Sequence, residues 1–194
     1  MFVCRSNAPK RETQPQIHGV SMDVKKLTGQ AFGDYAEGEC QAALSLLQRE
    51  CGWWFQRLYD TRSAGAFMPQ QPADFFGVAP GGRGFILESK GSAKYGSLMD
   101  PGALKALVKP HQALANYLVS RPGGMGLVLF VSASSQVAEL WRGPDVRQVY
   151  VTPKARLNSS ALIANTFVSD FKDLKISIKS LLTKIGELYG NTQQ

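Results

Sequence analysis

The apolar positions of this chain change period several times, and each change marks an element. From Gly33 to Glu50 the residues Ala36, Cys40, Ala43, Leu44 and Leu47 recur at steps of three and four, which predicts an amphipathic helix with one apolar stripe. Cys51-Gly52 ends it, and Trp53 to Leu58 reads as the first strand of a sheet. Two short apolar runs follow, Phe75-Phe76-Gly77-Val78 and Phe85-Ile86-Leu87, around Ala79-Pro80-Gly81-Gly82-Arg83. That turn composition closes hairpins. A hairpin centred on Gly81 pairs Val78 with Gly84, Phe76 with Ile86 and Asp74 with Glu88. The second run is apolar on both faces, so it predicts a buried central strand rather than an edge.

Beyond Lys90, Gly91 to Asp100 reads as a loop, and Ala103 to Val119 as helical with a break at Pro110. Proline favours the first turn of a helix, so the main helix starts there. Gly126 to Ser132 predicts a second buried strand. Val137 to Trp141 and Arg147 to Thr152 alternate or are β-rich, on either side of a Gly143-Pro144-Asp145 turn. Phe171, Leu174, Ile178, Leu181, Ile185 and Leu188 recur at helical spacing, with Lys172, Lys175, Lys179 and Lys184 between them. This is an amphipathic helix with a narrow seam, short for a free coiled coil and so expected to pack on its own domain. Residues 1–28 are polar and aperiodic and read as a flexible basic arm, leaving 29–194 as one domain. The order helix, strand, hairpin, helix, strand predicts an α/β fold with a mixed central β-sheet flanked by helices.

Composition and short motifs add further constraints. With 194 residues, 44% apolar and 19% charged, the chain has room for one sizeable core. A net charge of +7 and a pI near 9.4 favour a polyanionic partner, nucleic acid first. No apolar run approaches membrane-spanning length, so no membrane partner is expected, and no apolar signal core follows Arg5, Lys10 and Arg11. Cys4, Cys40 and Cys51 show no metal-ligand spacing, and their odd number fits reduced thiols in a cytoplasmic compartment. Gly81-Gly82-Arg83-Gly84 is no nucleotide cradle, because neither Gly-Lys-Ser/Thr nor a helix follows it.

The candidate chemistry sits at the hairpin's end. Opposed residues on one sheet face hold their Cβ atoms about 5 Å apart. Carboxylates that close, as Asp74 and Glu88 would be, repel by roughly 3 kcal/mol at an effective dielectric near 20. A positive group must lie between them, and strand alternation puts Lys90 on the same face. The natural filling is a divalent metal with water. Glu37 and Glu39 flank the first helix's stripe on opposite sides, and periodicity does not choose between them. Arg57 and Arg62 with Ser63 fall near this edge, Arg62 and Ser63 within a loop from Tyr59 to Gln71, and suit the gripping of phosphates. Lys94 and Tyr95 follow on the next loop. His111 and Gln112, at the start of their helix, face the same corner, with His111 not taken as a ligand.

Pro72-Ala73-Asp74 followed by Glu88-Ser89-Lys90 resembles the PD-(D/E)xK nuclease superfamily. Gly33-Asp34-Tyr35-Ala36-Glu37 is similar to the G-x-x-x-E that opens the first helix of Holliday junction resolvases of the Hjc and RecU kind. That similarity selects Glu37 over Glu39. Arg57 followed by Ser63-Ala64-Gly65 resembles the arginine and small-residue loop of Hjc-type enzymes, and Pro110-His111-Gln112 the H-Q of RecU-type enzymes. Short motifs carry the resemblance, over roughly Gly33 to Thr152, and the long insertion that RecU-type enzymes place before the catalytic aspartate is lacking.

The resemblance implies a restriction-endonuclease-like nuclease core and a Mg²⁺-dependent DNA endonuclease acting on four-way junctions, with Mn²⁺ able to substitute. It implies Glu37, Asp74, Glu88 and Lys90 as catalytic residues, and Asp74, Glu88 and the Ser89 backbone carbonyl as metal ligands. Arg57, Arg62, Ser63, Lys94 and Gln112 become DNA contacts, and symmetric cutting of two strands implies a homodimer. The brevity of the chain suits a phage-encoded or mobile-element enzyme acting in a host cytoplasm. The alternatives are another nuclease of the superfamily, acting on flaps, ends or duplex, and a non-catalytic DNA-binding module.

Overall fold

The computed structural model describes residues 24–58 and 71–190. The apolar stripe becomes helix α1, Gly29–Cys51, burying Phe32, Ala36, Cys40, Ala43, Leu44 and Leu47. It stops at Gly52, whose φ of 70° is left-handed, a conformation glycine adopts without a Cβ penalty. Strands β1 (Trp54–Arg57), β2 (Phe75–Val78) and β3 (Gly84–Ser92) then form an antiparallel set. The register is the one the turn dictates, with Val78 opposite Gly84 and Phe76 opposite Ile86. The chain continues through helices α2 (Ala103–Leu107) and α3 (Pro110–Ser120), so strand β4 (Met125–Ser132) returns parallel to β3. Strand β5 (Val137–Arg142), helix α4 (Gly143–Val151), strand β6 (Leu162–Phe167) and helix α5 (Leu174–Gly190) complete the order. The result is a six-stranded mixed sheet, β1-β2-β3-β4-β5-β6, flanked by helices.

Strand alternation divides the side chains between two cores. Phe75, Leu87, Leu127 and Leu129 point toward α1 and α5, where they meet Leu44, Leu47, Leu181 and Ile185. Val128, Phe130 and Trp141 point the other way, toward Leu104, Ala113 and Val146 of α2, α3 and α4. Helix α5 therefore packs on its own domain, burying Leu174, Ile178, Leu181, Leu182 and Ile185; Phe171 precedes it in a 3₁₀ turn. The Leu188 side chain lies outside the described residues. Helix α1 lies unusually close to β3. A Cβ on Gly91 would fall 2.8 Å from the Phe32 carbonyl oxygen and 3.1 Å from the Gly33 Cα, so only glycine permits this approach.

Two expectations about elements need correction. Arg147 to Thr152 is not a strand, since all but Thr152 belong to α4. Pro144 in the first turn and Asp145 beside the helix N-terminus start a helix there, and Val146, Val149 and Tyr150 then fall on a face packed in the second core. The loop after Lys90 begins later than expected, because Gly91 and Ser92 still pair with Val131 and Ser132. Strand β6 is an element the sequence pattern did not announce. The arm expected over residues 1–28 falls mostly outside the described residues, but Val24–Lys26 forms a 3₁₀ turn with Val24 buried in the first core. Among the described residues, no helix is long and apolar enough to cross a membrane.

Candidate active site

The hairpin register leaves Asp74 immediately before β2, at the level of Glu88 in the middle of β3. The backbone holds Asp74 twice: its carbonyl accepts from the Leu58 N–H at 2.8 Å, and its Oδ2 accepts from the Ser89 N–H, also at 2.8 Å. Glu88 is fully buried. Burial first, and the neighbouring Asp74 charge second, push its pKa up to about 8, against the counter-pull of Lys90. Lys90, two residues along the same strand, forms an ion pair with Glu88. Desolvation works against the Lys90 ammonium, but the charges of Glu88, Asp74 and Glu37 outweigh it and its pKa is raised.

Helix α1 adds the third acid. The close approach at Gly91 brings the following turn of α1 over the end of β2, and Glu37 there feels both Asp74 and Lys90. Its pKa is raised, by burial and then by Asp74, while Arg57 and Lys90 pull it down. Arg57 at the end of β1 binds Glu37 Oε1 through Nη2 at 2.6 Å and Gln41 Oε1 through Nη1 at 3.3 Å. The structure thus separates the two candidate acids of α1. Glu37 turns to the cluster, whereas Glu39 accepts the backbone N–H of Lys175, in the first turn of α5.

Helix α3 gives Gln112 a partner that the sequence pattern did not name. Gln112, nine-tenths buried, donates from Nε2 to Glu88 Oε1, and its own Oε1 accepts from the Lys109 N–H at 2.9 Å. One amide therefore ties the start of α3 to the central carboxylate. The pairing of a buried Gln with an acid 24 residues earlier has no local signature. His111 beside it is only partly buried, and its pKa is lowered by desolvation, then by Lys109 and Lys90.

The predicted site residues Glu37, Asp74, Glu88, Lys90, Arg57 and Gln112 are thus brought together, with Ser89 joining through its N–H. Arg57 and Gln112, expected as DNA contacts, are engaged with Glu37 and Glu88. Lys94 stands apart on the loop after β3, its ammonium 4.9 Å from the Tyr95 ring centroid. Arg62 and Ser63 lie outside the described residues.

Two observations bear on a metal ion. Among the described residues, no three His, Cys, Asp or Glu side chains are placed to hold one directly. Glu88 Oε2, however, is buried and accepts no hydrogen bond, and the Asp74 charge acts on Glu88. Buried acceptors are rarely left in that state. Two carboxylates so disposed take up either a proton or a cation, and oxygen is the donor that a small hard cation requires. A divalent ion held by Asp74 and Glu88, with water and backbone oxygen completing its shell, fits the residues present.

No protein-family profile matches the chain, and no curated protein matches it.

Proposed function

We propose that the protein is a metal-dependent DNA endonuclease with a restriction-endonuclease-like core, and that branched DNA, four-way junctions first, is its substrate. The observation that carries this reading is the half-buried Asp74 beside the fully buried Glu88, with Lys90 on the same strand as Glu88 and Glu88 Oε2 unpartnered. A pair of acids with a spare buried oxygen suits the capture of a cation together with a phosphate.

Asp74, Glu88 and the Ser89 carbonyl would hold Mg²⁺, or Mn²⁺ in its place. When bound, the metal supplies Lewis-acid polarisation of the scissile phosphate and lowers the pKa of a coordinated water. Lys90 orients the attacking water and offsets the negative charge that develops on the phosphorane. Glu37 accepts a hydrogen bond from a water at the cluster's outer edge, and Arg57 fixes its carboxylate. Gln112 keeps Glu88 in place, so that the two acids meet the cation without rearrangement. The excess of Lys and Arg, +7 overall, favours a polyanion and makes affinity salt-dependent. Symmetric cutting of two strands needs two sites, which calls for a two-fold dimer.

The test is cleavage of a synthetic four-way junction beside matched duplex, flap and single strand, with Mg²⁺, Mn²⁺ or chelator. Junction cutting that needs the metal supports the reading. Equal cutting of linear duplex would remove junction selectivity and leave a general nuclease. Binding with no cutting in either metal would leave a DNA-binding module.

A further inference from the structure

The face of the sheet that carries Glu88 and Lys90 does not end at the acids. Trp54 opposes Val78, Gln56 opposes Phe76, and Phe76 opposes Ile86, so alternation sets Trp54, Phe76 and Val78 on the same face as Asp74 and Glu88. Along β2 the step from Asp74 to Phe76 is about 7 Å. The Trp54 and Phe76 rings meet edge to face with centroids 5.5 Å apart. Trp54 is nevertheless 47% exposed and Val78 37%. An aromatic surface that stays open beside a buried charged cluster asks for a partner.

We propose that Trp54, supported by Phe76, is a stacking platform for an unpaired base of the DNA substrate near the scissile phosphate, Trp54 opposing Val78 about 13 Å along β2 from Asp74. This rests on the nuclease reading for its position, since the acids define where the phosphate lies. Two arguments select a base over a second copy of the chain. Three side chains, each covering at most about 150–250 Å² for an aromatic ring and part of that already buried here, fall short of the roughly 800 Å² per partner of a stable interface. A base needs only one ring, and the +7 chain brings a polyanion's backbone to the same surface. Bases stacked inside duplex do not present their faces, so the platform selects DNA whose bases are unpaired: flaps, gaps, single strands and open junction centres.

The experiment measures binding in Ca²⁺ and cleavage in Mg²⁺ for wild type, Trp54→Ala and Trp54→Phe, on single strand, flap, junction and blunt duplex. Sedimentation of the same proteins runs alongside. Trp54→Ala should weaken binding to the substrates with unpaired bases about tenfold or more and leave blunt duplex unchanged. Trp54→Phe should restore most of the loss. No change in affinity, an equal loss on every substrate including duplex, or a dimer that Trp54→Ala splits into monomers would each overturn the platform. Wild-type cutting with an indifferent Trp54→Ala sinks the platform and leaves the nuclease standing. Selective loss of binding in a protein that never cuts keeps the platform and sinks the nuclease. A wild type that neither binds nor cuts DNA sinks both.

Discussion

The two faces of the one sheet are built to different rules. Toward α1 and α5 the strands contribute Phe75, Leu87, Leu127, Leu129 and Val131, nearly all aliphatic or aromatic and fully buried. Toward α2, α3 and α4 the same strands bury Glu88, Ser132 and Glu139 among apolar neighbours, facing Gln112 and Asn116. Both buried acids there are held: Glu88 by Gln112, and Glu139 by the Leu98 N–H and the Trp141 indole. Two oxygens on that side, Glu88 Oε2 and Asn116 Oδ1, have no hydrogen-bond partner. Burying unsatisfied polar atoms costs stability. The first face is apolar except at its edge, where Glu37 and Arg57 pair and the Ser89 hydroxyl lies buried, and it can supply that stability, while the second spends its interior on positioning charge.

The largest effects should come from the polar face. Asp74→Asn and Lys90→Ala should each lower Mg²⁺-dependent cleavage by about 10²–10³-fold or more while binding of the junction in Ca²⁺ persists, read by gel shift and strand-cleavage assays on one preparation. Loss of binding together with cleavage would mean that the cluster is structural and would erase the contrast between the faces. On the apolar face the effect should fall on stability alone. Leu44→Ala should cost about 2–5 kcal/mol in denaturant unfolding, with the cleavage rate per folded molecule unchanged.

A third prediction concerns pH. Glu88 holds its proton in the folded protein up to about 8, against an ordinary carboxylate value of 4.5. Below 4.5 both states are protonated and its contribution to stability is fully present. Between 4.5 and 8 the unfolded chain has lost the proton that the folded chain keeps, so stability falls as pH rises through that window. Glu88→Gln should flatten this part of the profile in chelator, measured by melting temperature from pH 4 to 9; an unchanged slope would show that Glu88 is not the group responsible. The smallest effect is expected at Gln112. Gln112→Ala leaves Glu88 without its amide, which should cost about 1–3 kcal/mol in stability and weaken Mn²⁺ binding by about 10–100-fold, checked by titration calorimetry.

The sequence disclosed the parts governed by short-range rules. The stripe from Ala36 to Leu47 could only be a helix with one buried side, and Gly81-Gly82 fixed the register that puts Asp74 level with Glu88. Helix α4 was misread because Val146, Val149, Tyr150 and Val151 favour strands, yet Pro144 and the packing of Val146 against the second core outweigh that preference. Strand β6 owes its existence to pairing with β5, a contact no local pattern encodes. At the site, alternation predicted the Glu88–Lys90 pair. The turning of Glu37 rather than Glu39 toward Asp74 depends on how closely α1 sits on Gly91, which only the assembled fold fixes. The engagement of Gln112 with Glu88 is likewise a product of tertiary placement.

The central claim is that Asp74, Glu88 and Lys90 form a phosphodiester-cleaving corner that needs a divalent cation. Its most direct test is an assay of purified wild type and Lys90→Ala on a labelled four-way junction, with Mg²⁺, with Mn²⁺ and with chelator. The prediction is strand cleavage by wild type in either metal, none in chelator, and a residual trace in the variant. Intact DNA under every condition, or equal cutting by both proteins, would contradict it.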